Sequence, residues 1–266
     1  MKGFIIDLDG TVYRGSQAIE GAAEAIAELN RSGRRVVFLS NRGNMSRAMC
    51  RRKLAGMGID AAERDIVLSS TVAAMFLIRH YPGQKVWTLG DQGLRDELAS
   101  MRVMLASRPE AADWLLITLH ETLTYKELNQ AFRAVRHGAR IMATNADKSF
   151  PGDDGESIDV AAMIHAITAT TGASVEHVIG KPSALMAELA LETLDLPAED
   201  CLIVGDSLES DIRLGKQAGI RTALVLTGSV SRREAEASSF KPDYILDSLA
   251  DLPKIVSQEE ARRMKE

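Results

Sequence analysis

The chain has 266 residues, 45% hydrophobic and 26% charged, and its 32 Lys+Arg against 37 Asp+Glu leave a net charge of −5 and a pI near 5.7. At roughly 150 residues per domain this is a little under two domains, and the acidic balance excludes a nucleic-acid binder that relies on a concentrated basic surface. No run reaches the ~20 apolar residues of a membrane span, and Cys50 and Cys201 are too few and too distant for a disulfide framework or a thiolate zinc site.

The opening Met1-Lys2-Gly3-Phe4-Ile5-Ile6-Asp7-Leu8-Asp9 has too short an apolar stretch, interrupted by two acids, to read as a signal peptide. A cytoplasmic protein with reduced thiols is the expectation. Residues 4–8 read as a buried strand, 20–32 as a helix closed by Gly33, 35–39 as a second strand and 46–57 as a helix stopping near Gly58. A strand over 66–68 and a helix over 71–80 follow. This alternation predicts a parallel sheet with helices on both faces.

Tyr81-Pro82-Gly83 breaks the pattern. The middle then offers strands over 86–89, 114–119 and 141–144. Its clearest helix opens on Thr124-Tyr125-Lys126-Glu127, a capping-box pattern, and ends before Gly138. Beyond it come a short strand at 178–179, a helix from Ser183, a strand over 201–204, a helix over 209–218 and a strand over 222–226. An edge strand over 244–246 and a frayed, charged helix after Ser257 close the chain. The whole reads as α/β: a Rossmann-like, doubly wound parallel-sheet core made of 1–79 and 179–266, with an α/β domain inserted at 80–178.

Asp7-Leu8-Asp9-Gly10-Thr11 closes the first strand. Alternation puts Asp7 and Asp9 on one side, Gly10 lets the chain turn away, and ligands of open parallel sheets bind at the carboxyl ends of the strands. Asx residues at strand ends also simply cap turns. Two like charges there repel by ~4 kcal/mol at ~4 Å, so a cation is expected beside them. Ser40-Asn41 closes the second strand with a hydroxyl and an amide. Gly180-Lys181-Pro182-Ser183 opens a helix, a ready place for phosphate oxygens, and Gly205-Asp206-Ser207-Leu208-Glu209-Ser210-Asp211 ends another strand with further acids. Hard oxygen ligands with few histidines suit Mg²⁺ rather than Zn²⁺.

Asp7-x-Asp9-Gly10-Thr11, Ser40, Lys181 and Gly205-Asp206-x4-Asp211 together resemble, in order, the four motifs of the haloacid-dehalogenase (HAD) superfamily phosphatases, across nearly the whole chain. An insertion between the second and third motifs resembles the C2-type cap of the NagD-like (HAD-IIA) branch. Only 32 residues separate Asp7 from Ser40, too few for the cap that sugar-phosphate mutases of the superfamily carry there. Longer runs, among them Phe38-Leu39-Ser40-Asn41-Arg42-Gly43-Asn44 and His120-Glu121-Thr122-Leu123-Thr124-Tyr125, resemble the sugar phosphatases of that branch.

The resemblance implies a Mg²⁺-dependent phosphatase of sugar phosphates and other small phosphorylated metabolites, with broad specificity. It makes Asp7 the nucleophile, forming an aspartyl-phosphate, and Asp9 the general acid/base. It places the metal on Asp7, Asp206 and the backbone carbonyl of Asp9, with Asp211 orienting that shell. It gives the phosphate to Ser40 and Lys181, assisted by Asn41. The 145–147 loop, in Thr144-Asn145-Ala146-Asp147, falls near the leaving group. Ala146 stands where the branch often has Pro, and 155–160 lacks the glycine-rich stretch common there. A cap-mediated homodimer is left open.

Two other functions use the same site. A non-catalytic sugar-phosphate sensor would gain nothing from an acid/base carboxylate beside an anion, and a phosphotransferase or mutase is disfavoured by the cap position. Among decoys, His120-Glu121 begins a zinc-protease string that fails at Thr124, and Gly180-Lys181 lacks the rest of a Walker A loop. Arg42, Arg47, Arg51, Arg52 and Lys53 read as a solvated helix face, and Met45, Met49 and Met57 as core.

Overall fold

The computed structural model describes residues 1–152, 155–228 and 230–263. The chain forms two compact units: Met1–Leu39 with Arg51–Ile66 and Ala187–Glu266, and Ser40–Cys50 with Val67–Met186.

The first unit is organised by a sheet in the order Tyr244–Leu246, Arg221–Val225, Cys201–Gly205, Gly3–Ile6, Arg35–Ser40, Ile66–Leu68. The pairings from Tyr244–Leu246 through Arg35–Ser40 are parallel, with Ile6 opposite both Val204 and Phe38. Gly3–Ile6 and Cys201–Gly205 are buried at every residue, as strands covered on both faces must be. The helix Ala22–Arg31 turns Ala22, Ala25, Ile26 and Leu29 inward at helical spacing. The doubly wound parallel α/β core read from the sequence is the observed fold.

Two local departures matter. The first strand ends at Ile6, because the Leu8 carbonyl accepts hydrogen bonds from the amides of Thr11, Val12 and Tyr13 and so leaves the ladder for a turn. Asp9 consequently sits in an isolated bridge with Tyr13, ahead of an unanticipated hairpin of Tyr13–Arg14 and Gln17–Ala18. The expected helix over 209–218 is split. Leu208–Ile212 forms a wide π turn, with the amides of Asp211 and Ile212 both donating to the Ser207 carbonyl, before the α-helix Arg213–Ala218.

The second unit contains a four-stranded parallel sheet in the order Val175–Val178, Arg140–Ala143, Trp114–Ile117, Val86–Leu89. Its core packs Leu115, Ile117 and Ile141 against Ala131 and Ile167. Thr124 caps the helix Tyr125–Arg136 with the reciprocal bonds of a capping box, as its sequence predicts. The helices Gln92–Ser100 and Val160–Thr171 and the hairpin of Ser149–Gly152 and Gly155–Ile158 were not anticipated. Met45, Met49 and Met57 are half-buried rather than core. The helix Leu252–Arg263 begins six residues before the tail helix expected after Ser257. Among the described residues no helix is long and apolar enough to cross a membrane.

Candidate active site

In the first unit, Asp7 follows the last residue of the Gly3–Ile6 strand and keeps one ladder bond, its amide donating to the Val204 carbonyl at 2.9 Å. It is 6% exposed. Gly10 turns the chain back with φ +82°, a region that a side chain would strain. The turn brings the Thr11 hydroxyl to Asp7 Oδ2 at 3.1 Å. Asp9, half-buried, accepts from the Tyr13 hydroxyl at 3.4 Å.

Asp206 leaves the end of the neighbouring strand, and two glycines make room for it. A Cβ on Gly10 or on Gly228 would fall within contact distance of the Asp206 carboxylate. The Thr227 hydroxyl donates to the Gly10 carbonyl at 2.6 Å, and Arg14 Nε donates to the Thr227 carbonyl at 2.7 Å. The loop after Arg221–Val225 is thereby tied to the turn after the first strand. Sequence reasoning did not single out Thr227 and Gly228. The signal available was a Thr-Gly pair just beyond the end of a core strand.

Asp211 is 1% exposed and packs so closely on Gly205 that a Cβ there would overlap its carboxylate. Its Oδ2 accepts from the Ser207 amide at 3.1 Å, and the Ser210 hydroxyl lies at 3.5 Å. Asp7, Asp206 and Asp211 each offer a carboxylate oxygen within 4.8 Å of the others. At an effective dielectric near 20 each pair of unit charges at that range repels by about 3–4 kcal/mol. The three oxygens therefore form a seat for a cation, and all-oxygen donors suit a hard divalent one. The residues present fit a divalent metal.

The second unit holds the other expected site residues. Ser40, 2% exposed, ends the Arg35–Ser40 strand and accepts from the Arg42 amide at 3.1 Å. The Asn41 carbonyl is held by the Ser69 hydroxyl at 2.7 Å. Asn41 Oδ1 accepts from the Lys181 amide at 2.7 Å, and its Nδ2 donates to the Lys181 carbonyl at 3.3 Å. Lys181 is 5% exposed. Asn145, 3% exposed, and Asp147 belong to this same neighbourhood, with Asn41 Nδ2 donating to Asp147 Oδ2 at 3.1 Å.

Residues 4–103 match the haloacid dehalogenase-like hydrolase family, and residues 178–252 match the HAD-hydrolase-like family. The chain is 57% identical to the sugar-phosphatase AraL of Bacillus subtilis (strain 168) over 256 residues, 96% of this chain and 93% of that one. It is 34% identical to an acid sugar phosphatase of Staphylococcus saprophyticus, covering 95% and 97% of the two chains. Among solved structures, a p-nitrophenyl phosphatase from Archaeoglobus fulgidus superposes with a TM-score of 0.87 at 32% identity, covering 96% and 98%. A 4-nitrophenylphosphatase from Thermotoga maritima does so with 0.88 at 30% identity, covering 96% and 97%. With that sequence likeness, that fold and a carboxylate cluster at the strand ends, the chain belongs to the haloacid dehalogenase-like hydrolases, within the group of phosphoric monoester hydrolases that these relatives make up.

Proposed function

We infer that the protein is a Mg²⁺-dependent phosphatase acting on sugar phosphates through a phospho-enzyme formed on Asp7. The observation that carries this reading is the convergence of Asp7, Asp206 and Asp211 within 4.8 Å, with Asp7 and Asp206 just beyond the ends of adjacent parallel strands. Sugar phosphates as substrates follow from the likeness to the two sugar phosphatases.

Phosphate-monoester hydrolysis demands accelerations up to ~10²¹-fold, more than one contact can supply. In this reading an Asp7 carboxylate oxygen attacks phosphorus in line, the bond to the leaving sugar oxygen breaks, and Asp9 gives that oxygen a proton. Asp9 then takes a proton from the water that hydrolyses the aspartyl-phosphate, releasing inorganic phosphate. General acid–base assistance of this kind is worth ~10²–10⁴-fold. Ser40 and Lys181 hold the phosphoryl oxygens, and Asn41 supports them.

Asp7, Asp206 and the backbone carbonyl of Asp9 would hold Mg²⁺, with the buried Asp211 fixing that shell. Bound there, the ion offsets the charge of the carboxylates and of the transferring group. Residues 80–178 act as the segment that reads the leaving group. The buried thiols Cys50 and Cys201 accord with a reducing cytoplasm. A cap-mediated homodimer belongs to the same reading, and sedimentation equilibrium tests it.

The decisive experiment follows inorganic phosphate release from p-nitrophenyl phosphate and a panel of sugar phosphates, with and without Mg²⁺. Wild type is expected to turn over only with the ion, and Asp7→Asn to lose at least a thousandfold. An Asp7→Asn variant that keeps substantial turnover removes the nucleophile assignment. A wild type that binds phosphate but hydrolyses no monoester leaves a sensor instead.

A further inference from the structure

The Asn41 side chain is fully engaged, and its partners fix its orientation. Its Oδ1 receives the Lys181 amide at 2.7 Å, a contact only an oxygen can make. Its two Nδ2 hydrogens are then aimed at the Lys181 carbonyl, 3.3 Å away, and at Asp147 Oδ2, 3.1 Å away. Asn41 brackets the backbone of Lys181 on both sides. The bracket is tight: a Cβ on Gly180 would come within 2.6 Å of Asn41 Oδ1 and would also meet the Thr144 carbonyl.

Asp147 itself is positioned from behind. Asn145 Nδ2 donates to the same Asp147 Oδ2 at 2.8 Å, and it lies 3.4 Å from Asp159 Oδ2. The Asp147 carboxylate, which can only accept, fixes the Asn145 amide with nitrogen toward it, and Asn145 Oδ1 then lies 3.1 Å from the hydroxyl of the fully buried Thr144. Asp159 is in turn held by the Val160 amide at 2.7 Å, at the start of the Val160–Thr171 helix. A continuous hydrogen-bonded chain thus runs Asp159, Asn145, Asp147, Asn41, Lys181, entirely within the second unit.

We propose that Asp147 is a positioning residue for the phosphate-binding Lys181, acting through Asn41, rather than a reader of the substrate's leaving group. The 145–147 loop was expected from sequence to touch the leaving group, and so to discriminate among sugars. The geometry turns the Asp147 carboxylate onto Asn41 instead. It holds the amide in the rotamer that brackets Lys181, so its effect falls on the phosphoryl group, the part that all substrates share. The inference rests on the assignment of Lys181 to phosphate made under Proposed function.

The test compares wild type, Asp147→Ala and Asp147→Asn with p-nitrophenyl phosphate, with a sugar phosphate, and with inorganic phosphate as a competitive ligand. Asp147→Ala removes the acceptor of both Asn41 and Asn145. Because only the part passed on through the Asn41 amide reaches Lys181, KM for both substrates and Ki for phosphate are expected to rise by one common factor of about three to ten, with kcat altered less. Asp147→Asn retains an acceptor oxygen for Asn41 and Asn145 and is expected to restore most of the loss. Asp147 is exposed, and both variants remove a charge that helps push up the neighbouring Asp159 carboxyl, so neither should melt below wild type.

A loss confined to the sugar phosphate, with aryl-phosphate KM and phosphate Ki at wild-type values, overturns the proposal and returns the loop to leaving-group recognition. Failure of Asp147→Asn to restore binding also overturns it. If wild type proves to hydrolyse no monoester, the phosphatase reading fails. Calorimetric titration of inorganic phosphate into wild type and Asp147→Ala then still decides the present inference, since equal affinities exclude it.

Discussion

Thr11 donates its hydroxyl hydrogen to Asp7 Oδ2 across 3.1 Å, from a position with no solvent exposure. The donor sits at one end of a turn whose other end carries the proposed nucleophile. It therefore steadies one carboxylate oxygen in a single orientation. Thr11→Val preserves the shape and deletes the donor, and a net hydrogen bond to a charged group is worth about 1.5–3 kcal/mol. The expected result is a fall of about tenfold or more in kcat for p-nitrophenyl phosphate with KM little changed. Thr11→Ser should recover most of it. Equal kinetics in Thr11→Val and wild type would show that the hydroxyl does not orient Asp7.

Gly228 is expected to be intolerant of any side chain, because a Cβ there would overlap the Asp206 carboxylate. Gly33 offers the control: nothing lies within 4 Å of its Cβ position, although its φ of +74° is strained for a side chain. Gly228→Ala should abolish most turnover while the protein remains folded, since the clash falls on one side chain at the strand ends. Gly33→Ala should lose about 1 kcal/mol of stability and keep its turnover. Denaturant melts beside phosphate-release assays separate the two outcomes, and full activity in Gly228→Ala would mean that Asp206 can move without consequence.

Much of this was legible because parallel strands buried on both faces announce themselves as unbroken apolar runs. The Tyr244–Leu246 and Ile66–Leu68 strands fall where their apolar runs predict, as does the Thr124 cap. Like charges at one strand end picked out Asp7 and Asp9 in the sequence, with Asp206 and Asp211 noted as further acids at another strand end. The carboxylate cluster of the structure joins Asp7 to Asp206 and Asp211, while the Asp9 carboxylate accepts from Tyr13. Backbone devices set by distant partners were not legible. The Leu8 carbonyl leaves its strand to receive three turn amides, and nothing in Phe4-Ile5-Ile6-Asp7-Leu8 signals that. The π turn at Leu208–Ile212 places Asp211 where its carboxylate meets the Ser207 amide, and a helical pattern over 209–218 hides it. The Gln92–Ser100 helix was missed because it starts next to Gly93. That glycine is required where a Cβ would meet the backbone of Asn44 and Met45.

Asp211 should tune the metal requirement more than the chemistry. Its Oδ2 is taken by the Ser207 amide, yet it remains within 4.8 Å of Asp7 and Asp206 oxygens. Asp211→Asn keeps the volume and removes one negative charge from the cluster. Outer residues of this kind typically govern metal affinity by 10–100-fold. The Mg²⁺ concentration for half-maximal rate should rise by about that factor, with kcat at saturating ion recovering toward wild type. A kcat that stays low at any Mg²⁺ concentration would give Asp211 a direct part in the reaction.

Asp159 makes the second unit sensitive to pH. Burial pushes its carboxyl up to about 6 from an ordinary 3.8, and the neighbouring Asp147 charge adds to the rise. The Val160 amide, Arg42 and Asn145 oppose it. Below the ordinary value the group is protonated whether folded or unfolded, and stability is undiminished. Between about 4 and 6 the folded chain holds a proton that the unfolded chain has released, so stability falls as pH rises and the loss is complete above 6. A rise of this size corresponds to a loss on the order of 1–3 kcal/mol. Asp159→Asn keeps an acceptor for the Val160 amide and carries no charge at any pH, and Asn caps helices as well as Asp does. Trp87 and Trp114, the two tryptophans of the chain, both report on this unit, so urea melts followed by fluorescence read its stability. The variant should match wild type near pH 4 and exceed it at pH 7.5. A gap between the two proteins that does not change with pH would mean that Asp159 titrates alike in the folded and unfolded chains.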